Sequence, residues 1–170
     1  KLFVVPTPIG NLEDITLRAL RVLKEVDFVL SEDTRTTQNL LRHFDIEKNC
    51  YAYHIHNEHQ QLENIIRQIQ NASSVALTSD AGTPCISDPG YLLVRECIKN
   101  NIKVECLPGA TALIPALVNS GIPASSFKFY GFIPHKKGKE TTLKRMSAAQ
   151  ETSIFYESPY RLLKTLEMMV

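Results

Sequence analysis

Short apolar runs alternate with stretches of helical periodicity along the whole chain, and this rhythm limits the fold more than any other feature. The strand-like runs are residues 2–5, 28–30, 75–78, 104–107, 127–130 and 153–156, with a weaker one at 51–55. Between them, Leu62, Ile65, Ile66 and Ile69 fall at i, i+3, i+4 and i+7, which is one face of a helix. Ala19, Val22, Leu23 and Val26 repeat the spacing, as do Leu162, Leu166, Met169 and Val170. Such alternation predicts an α/β fold, a mostly parallel sheet with flanking helices. A length of 170 residues suits one domain or a domain and a half. Gly121, Pro123 and three serines cluster in residues 119–126, a linker signal. It divides the chain into an N-terminal α/β domain, 1–118, and the start of an incomplete C-terminal α/β domain, 119–170.

Composition closes off several classes of function. Nineteen Lys and Arg against eighteen Asp and Glu give a net charge of +1, which excludes a generally basic nucleic-acid binder. Any RNA contact must therefore come from a local patch. A hydrophobic content of 44% excludes a disordered chain. No apolar run approaches the ~20 residues that a membrane helix needs, and no signal-peptide pattern opens the chain. The four cysteines form no CxxC pair, and Cys97 and Cys106 are expected in the core, as in a reduced, cytoplasmic protein. The chain starts on Lys and stops at Val170 inside a helical pattern, so it is expected to be part of a longer one.

Four of the seven glycines and five of the nine prolines sit in three loops, 6–10, 79–90 and 108–109, each directly after a predicted strand. In an open parallel sheet, ligands bind outside the carboxyl ends of the strands. Loop 79–90 (SDAGTPCISDPG) is the most informative, because nine of its twelve residues are Ser, Asp, Gly, Thr or Pro. Connections in such folds usually run about 2–6 residues, so this length points to function. A helix cap at Asp88 before Pro89 is the plainer reading of that residue. The patterns GxxxxGK[ST], GxGxxG and GxSxG are all absent, which removes the P-loop, the dinucleotide fingerprint and the hydrolase elbow. His54, His56 and His59, with Glu58 and Cys50 nearby, lack a second ligand pair at metal-like spacing, so no metal is expected.

Longer motifs carry a family resemblance. VVPTPIGNLEDITLRALRVLKEVDFVLSEDTRTTQNLL, HNE, SDAGTPCISDPG, LPGATA, GFIPHKKGK and FYESPYRL follow one another in this order. Together they resemble the ribosomal RNA small subunit methyltransferase I family, of the tetrapyrrole-methylase-like superfamily, over residues 2–169. The resemblance implies an S-adenosylmethionine-dependent enzyme that methylates the ribose 2′-hydroxyl of a cytidine in the decoding region of 16S ribosomal RNA. It also implies two α/β domains with the cofactor between them, a homodimer, and the 30S particle as partner, with no membrane. Family members continue past residue 170. Thr36 stands where the family often has His, and Cys85 where Gly or Leu is usual.

Carried over position by position, the resemblance implies cofactor contacts from Pro8, Gly10, Thr78, Ser79, Asp80, Ala81, Gly82, Thr83, Thr111, Ala112 and Glu157. Asp80 is expected to orient the methionine part. Glu32, Asp33, Asp80, Asp88 and Glu157 lie at strand exits as possible proton acceptors; Asp80, Asp88 and Glu32 lead, and none is assigned. Residues 135–145 (HKKGKETTLKR) hold five Lys or Arg, so Lys136, Lys137 and Lys139 are expected to bind RNA phosphates, with Arg18 and Arg35 as further contacts. Two other readings stay open: a tetrapyrrole C-methyltransferase, and a noncatalytic RNA-binding or dimerisation fragment.

Overall fold

The computed structural model describes residues 1–53 and 58–169. It divides into two compact units, Lys1–Thr111 and Ala112–Val170. The division falls ahead of the expected boundary at 118/119, because α5, Leu113–Ser120, runs straight across that point. Gly121 is the left-handed C-cap of this helix, so the cluster read as a linker is a helix stop signal.

The first unit contains β1 (Leu2–Val4), α1 (Leu17–Glu25), β2 (Phe28–Ser31), α2 (Thr34–His43), β3 (Cys50–Ala52), α3 (Glu58–Asn71), β4 (Val75–Thr78), α4 (Tyr91–Lys99) and β5 (Val104–Cys106). All five strands are parallel, in the order β3-β2-β4-β1-β5. Central β4 is buried along its whole length, which is why it reads as an unbroken run without a polar face. Alternate strand residues feed two cores. Leu2, Leu30, Val75 and Leu77 pack with Ile65, Ile66 and Ile69 of α3 and Leu93 and Cys97 of α4. On the opposite face Val5, Val29 and Ala76 meet Ala19, Val22 and Leu23 of α1 and Leu41 of α2. Thr16 caps α1 by accepting from the Ala19 amide at 3.0 Å.

Cys97 is buried as expected, but Cys106 is exposed. The reason is topological: β5 is an edge strand, covered less completely than the centre of the sheet.

In the second unit β6 (Phe127–Phe132) and β7 (Thr152–Tyr156) pair in parallel, accompanied by α5, α6 (Lys139–Ser147) and α7 (Pro159–Glu167). Ile133, Leu143 and Met146 form its small core. The expected apolar face of α7 is not buried: Leu162, Leu166 and Met169 are exposed. Among the described residues no third strand extends this sheet, so α7 has little surface to cover.

Candidate functional site

The site follows from the order of the strands. The chain leaves β1 toward α1 on one face of the sheet and leaves β4 toward α4 on the other. Since β1 and β4 are neighbours, their exits diverge and open a crevice between them, the place where doubly wound sheets take ligands.

Main-chain atoms close the floor of that crevice. The Thr7 amide donates to the Gly82 carbonyl at 2.9 Å, and the Gly82 amide returns a bond to the Thr7 carbonyl at 3.0 Å. The Thr7 hydroxyl donates to the Ser79 carbonyl at 3.1 Å, so three bonds tie loops 6–10 and 79–90. Thr83 donates to the Ala110 carbonyl at 3.0 Å and brings in the loop after β5. Gly82 has φ +87°, a left-handed conformation that favours glycine. A Cβ on Gly109 would lie 2.6 Å from the Pro6 Cβ, so only a residue without one lets these two loops meet. Cys85 and Ser87, in the same long loop, also hold positive φ, at 71° and 67°. Strain of this kind is found where surrounding structure fixes a loop for function.

The loop after β2 joins the same edge. The Asp33 amide donates to Asp80 Oδ1 at 3.1 Å. The Thr37 and Thr78 hydroxyls lie 3.3 Å apart, and Thr78 also donates to the Leu30 carbonyl, so its side chain is committed to structure. A cleft of about 320 Å³ opens beside these ties, lined by Thr7, Pro8, Ser79 and Asp80 on one side and by α2 on the other. The structure thus brings together Pro8, Ser79, Asp80, Gly82 and Thr83 of the expected cofactor residues. Thr111 closes the first unit, while Ala112 and Glu157 belong to the second.

The carboxylates divide by environment. Asp33 is held down to about 2, first by the Arg35 side chain that donates to it at 2.7 Å and then by the Arg35 amide. This makes Asp33 a poor proton acceptor. Asp88 is pushed up to about 6, chiefly by burial and then by the negative charge of Glu32; a bond with Ser79 opposes the rise, and Asp80 adds to it. Asp88 does not cap a helix, because the N-cap of α4 is Gly90, which offers no side chain.

Glu157 lies in a buried network. Its Oε1 accepts from the Ser158 amide at 2.8 Å and from Arg161 at 2.5 Å, and its Oε2 accepts from the Thr165 hydroxyl at 2.7 Å. Burial favours the neutral acid, but Thr165, Ser158 and Arg161 outweigh it and hold the group below the usual carboxylate range. Lys139 completes the chain of contacts by donating to Thr165 at 2.7 Å. Lys139 is only 8% exposed, which corrects its expected role as an RNA contact: its ammonium is spent inside the unit. Lys136 and Lys137 do lie on the surface. Arg18 pairs with Glu105, a carboxylate that it shares with Lys1, and its side chain stays partly exposed. Arg35 is highly exposed, with Asp33 as its partner. The side chains of His54, His56, Glu58 and His59 lie outside the described residues.

The wall contributed by α2 was missed in the sequence. Thr36, Asn39, Leu40 and His43 line the cleft at i, i+3, i+4 and i+7. The spacing was there to be read, but its mixed polarity carried no hydrophobic signal.

Comparison with known proteins places this architecture. Residues 1–170 match the family described as Tetrapyrrole (Corrin/Porphyrin) Methylases. The protein named Ribosomal RNA small subunit methyltransferase I from Hydrogenobaculum sp. is 52% identical over 99% of this chain and 74% of its own length. The chain belongs to the ribosomal RNA small subunit methyltransferase I family. The member of that family from Escherichia coli O157:H7 is 51% identical over 100% of this chain, and that from Thermotoga maritima 46% over 98%. The chain spans 60% of the E. coli protein's length. Among solved structures, diphthine synthase matches with a TM-score of 0.74 at 14% identity, covering 94% of this chain and 64% of its own. Uroporphyrin III C-methyltransferase from Thermus thermophilus matches with 0.55 at 23%, covering 76% and 58%. These two share the fold of the family.

Proposed function

We propose that the protein is an S-adenosylmethionine-dependent enzyme that methylates the 2′-hydroxyl of a cytidine ribose in small-subunit ribosomal RNA. In this reading it acts as a cytoplasmic homodimer on the 30S particle. The observation that carries it is the three-loop floor at the β1/β4 crevice, built in a chain about half identical to proteins named for that RNA. The rival tetrapyrrole reading rests on the wider family name and on a structural match at 23% identity, which speaks for fold alone.

The residues at the floor fit the methyl donor. Two positions without a Cβ, Gly82 and Gly109, let the three loops close on one another, and exposed Asp80, fixed through one oxygen by the Asp33 amide, suits an ammonium. When bound, S-adenosylmethionine supplies a methyl group already activated on a sulfonium. The chain's own task is then alignment, and holding reactants in near-attack geometry contributes roughly 7–11 kcal/mol. Burial raises Asp88 to about 6 and its bond with Ser79 ties it to the floor, so Asp88 is the carboxyl we assign to receive the hydroxyl proton. Exposed Lys136 and Lys137 contact RNA phosphates.

The test uses the full-length protein, tritiated S-adenosylmethionine and assembled small subunits. Label should reach a ribose of the small-subunit RNA; label on a base, or on a uroporphyrin substrate instead, refutes the proposal. Asp88→Asn should lower kcat with little change in cofactor affinity, and wild-type kcat should fall below pH 6 as Asp88 takes up its proton.

A further inference from the structure

The wall of the cleft formed by α2 has no part in the function as described so far. Asn39, Leu40 and His43 of this helix, with Pro8 of the first loop and Leu12 just after it, enclose a volume of about 320 Å³ that reaches Asp80. That is within the range of small-molecule sites, about 300–1,000 Å³. Leu12 stands 41% exposed, an apolar side chain held at the rim without a core to join. Asn39 and His43 are exposed as well, and His43 also sets its ring edge-on to Phe44 with centroids 4.7 Å apart. The helix α2, with sequence TRTTQNLLRH, carries no acidic residue, but Arg35 is paired with Asp33, Asp80 lines the cleft, and Arg42 lines a separate hollow with Asp45 and Glu47.

These features select a ligand class. Apolar walls at Leu12, Leu40 and Pro8 suit the flat faces of an aromatic ring, and the Asn39 amide both donates and accepts, matching a polar ring edge. An unpaired nucleobase has both features, and RNA is read in sequence mainly through such splayed-out bases. The cleft also shares Thr7, Ser79 and Asp80 with the floor assigned to the methyl donor, so a nucleoside in it would lie against the residues that would hold that donor.

We infer that the cleft between α2 and loop 6–10 receives the unstacked target nucleoside, with Asn39 reading the base edge. Asn39 is then a specificity-determining residue. The inference rests on the RNA methyltransferase reading above and assigns the substrate half of its site.

Asn39→Ala and His43→Ala, made in the full-length protein, test it. With assembled small subunits and tritiated S-adenosylmethionine, kcat/KM for the subunits should fall about tenfold or more. The Kd for S-adenosylmethionine, measured by calorimetry without RNA, should stay unchanged. Asn39→Ala should also narrow the preference for natural subunits over subunits with the target base replaced. Weaker cofactor binding with unchanged KM for subunits would mean that the cleft belongs to the methyl donor and overturns the inference. Unchanged kinetics in both variants overturns it equally. If wild-type protein places no label on the RNA, the parent reading fails first; if only the variants behave like wild type, this assignment alone fails.

Discussion

Gly109 shows how much of the site hangs on single atoms. A methyl group there would press on the Pro6 ring carbons, which are rigid, so loops 6–10 and 108–109 would have to part. Gly109→Ala should slow methyl transfer about tenfold to a hundredfold, as an ångström of misplacement does, while the melting temperature changes little. Equal activity in the variant would show that the approach of these loops is incidental. Asp88 makes a pH prediction. Its carboxyl rises from the ordinary 3.8 to about 6, so the folded state holds the proton more tightly than the unfolded state. The associated stability is complete below pH 3.8 and is lost as pH rises through 6. Asp88→Asn stays neutral throughout, so its melting temperature should gain on wild type between pH 4 and 7; parallel curves would refute the shift. Glu157 slopes the other way: its depressed carboxyl stabilises above its ordinary value of 4.5, and that stability is lost as pH falls through the folded value. Thr165, wholly buried between Lys139 and Glu157, should cost about 2 kcal/mol as Thr165→Val, read by urea unfolding. None of this network was visible in the sequence. Lys139 looks like its surface neighbours Lys136 and Lys137, and only the arrival of Thr165 from twenty-six residues away turns it inward.

The helices and strands divide in how openly the sequence announced them. Strands β1, β2 and β4 were legible because a parallel sheet covered on both faces needs consecutive apolar residues. α1 and α3 were legible because each packs a single stripe on a wide sheet. α7 misled for the same reason: its stripe is present, but the two-stranded sheet beneath leaves it exposed. α2 works in two directions, with Leu41 in the core and Asn39, Leu40 and His43 at the cleft. Helix ends offer a control that separates stability from function. Thr16→Ala removes the N-cap of α1, away from the cleft lining, and should cost about 1 kcal/mol in denaturant unfolding. Its affinity for S-adenosylmethionine should match wild type; a loss of affinity would tie α1 to the site.

The two compact units have unequal means of support. The first has a five-stranded sheet with a core on each face, while the second has two strands and a core built on Ile133, Leu143 and Met146. A two-stranded sheet gains little independent stability. Amide exchange should therefore be slowest in β1, β2 and β4 and clearly faster in β6 and β7, and equal protection would refute this ranking. The reciprocal bonds between Thr7 and Gly82 have one last consequence. They join main-chain groups, which every residue except proline possesses, so mutation at position 7 leaves both of them available. At position 82 the required twist of the chain admits little but glycine. Sequence drift in this pocket is thus limited on one side of the join by a buried side chain bonded to Ser79 and on the other by the backbone itself, and a survey of tolerated substitutions would trace that asymmetry directly.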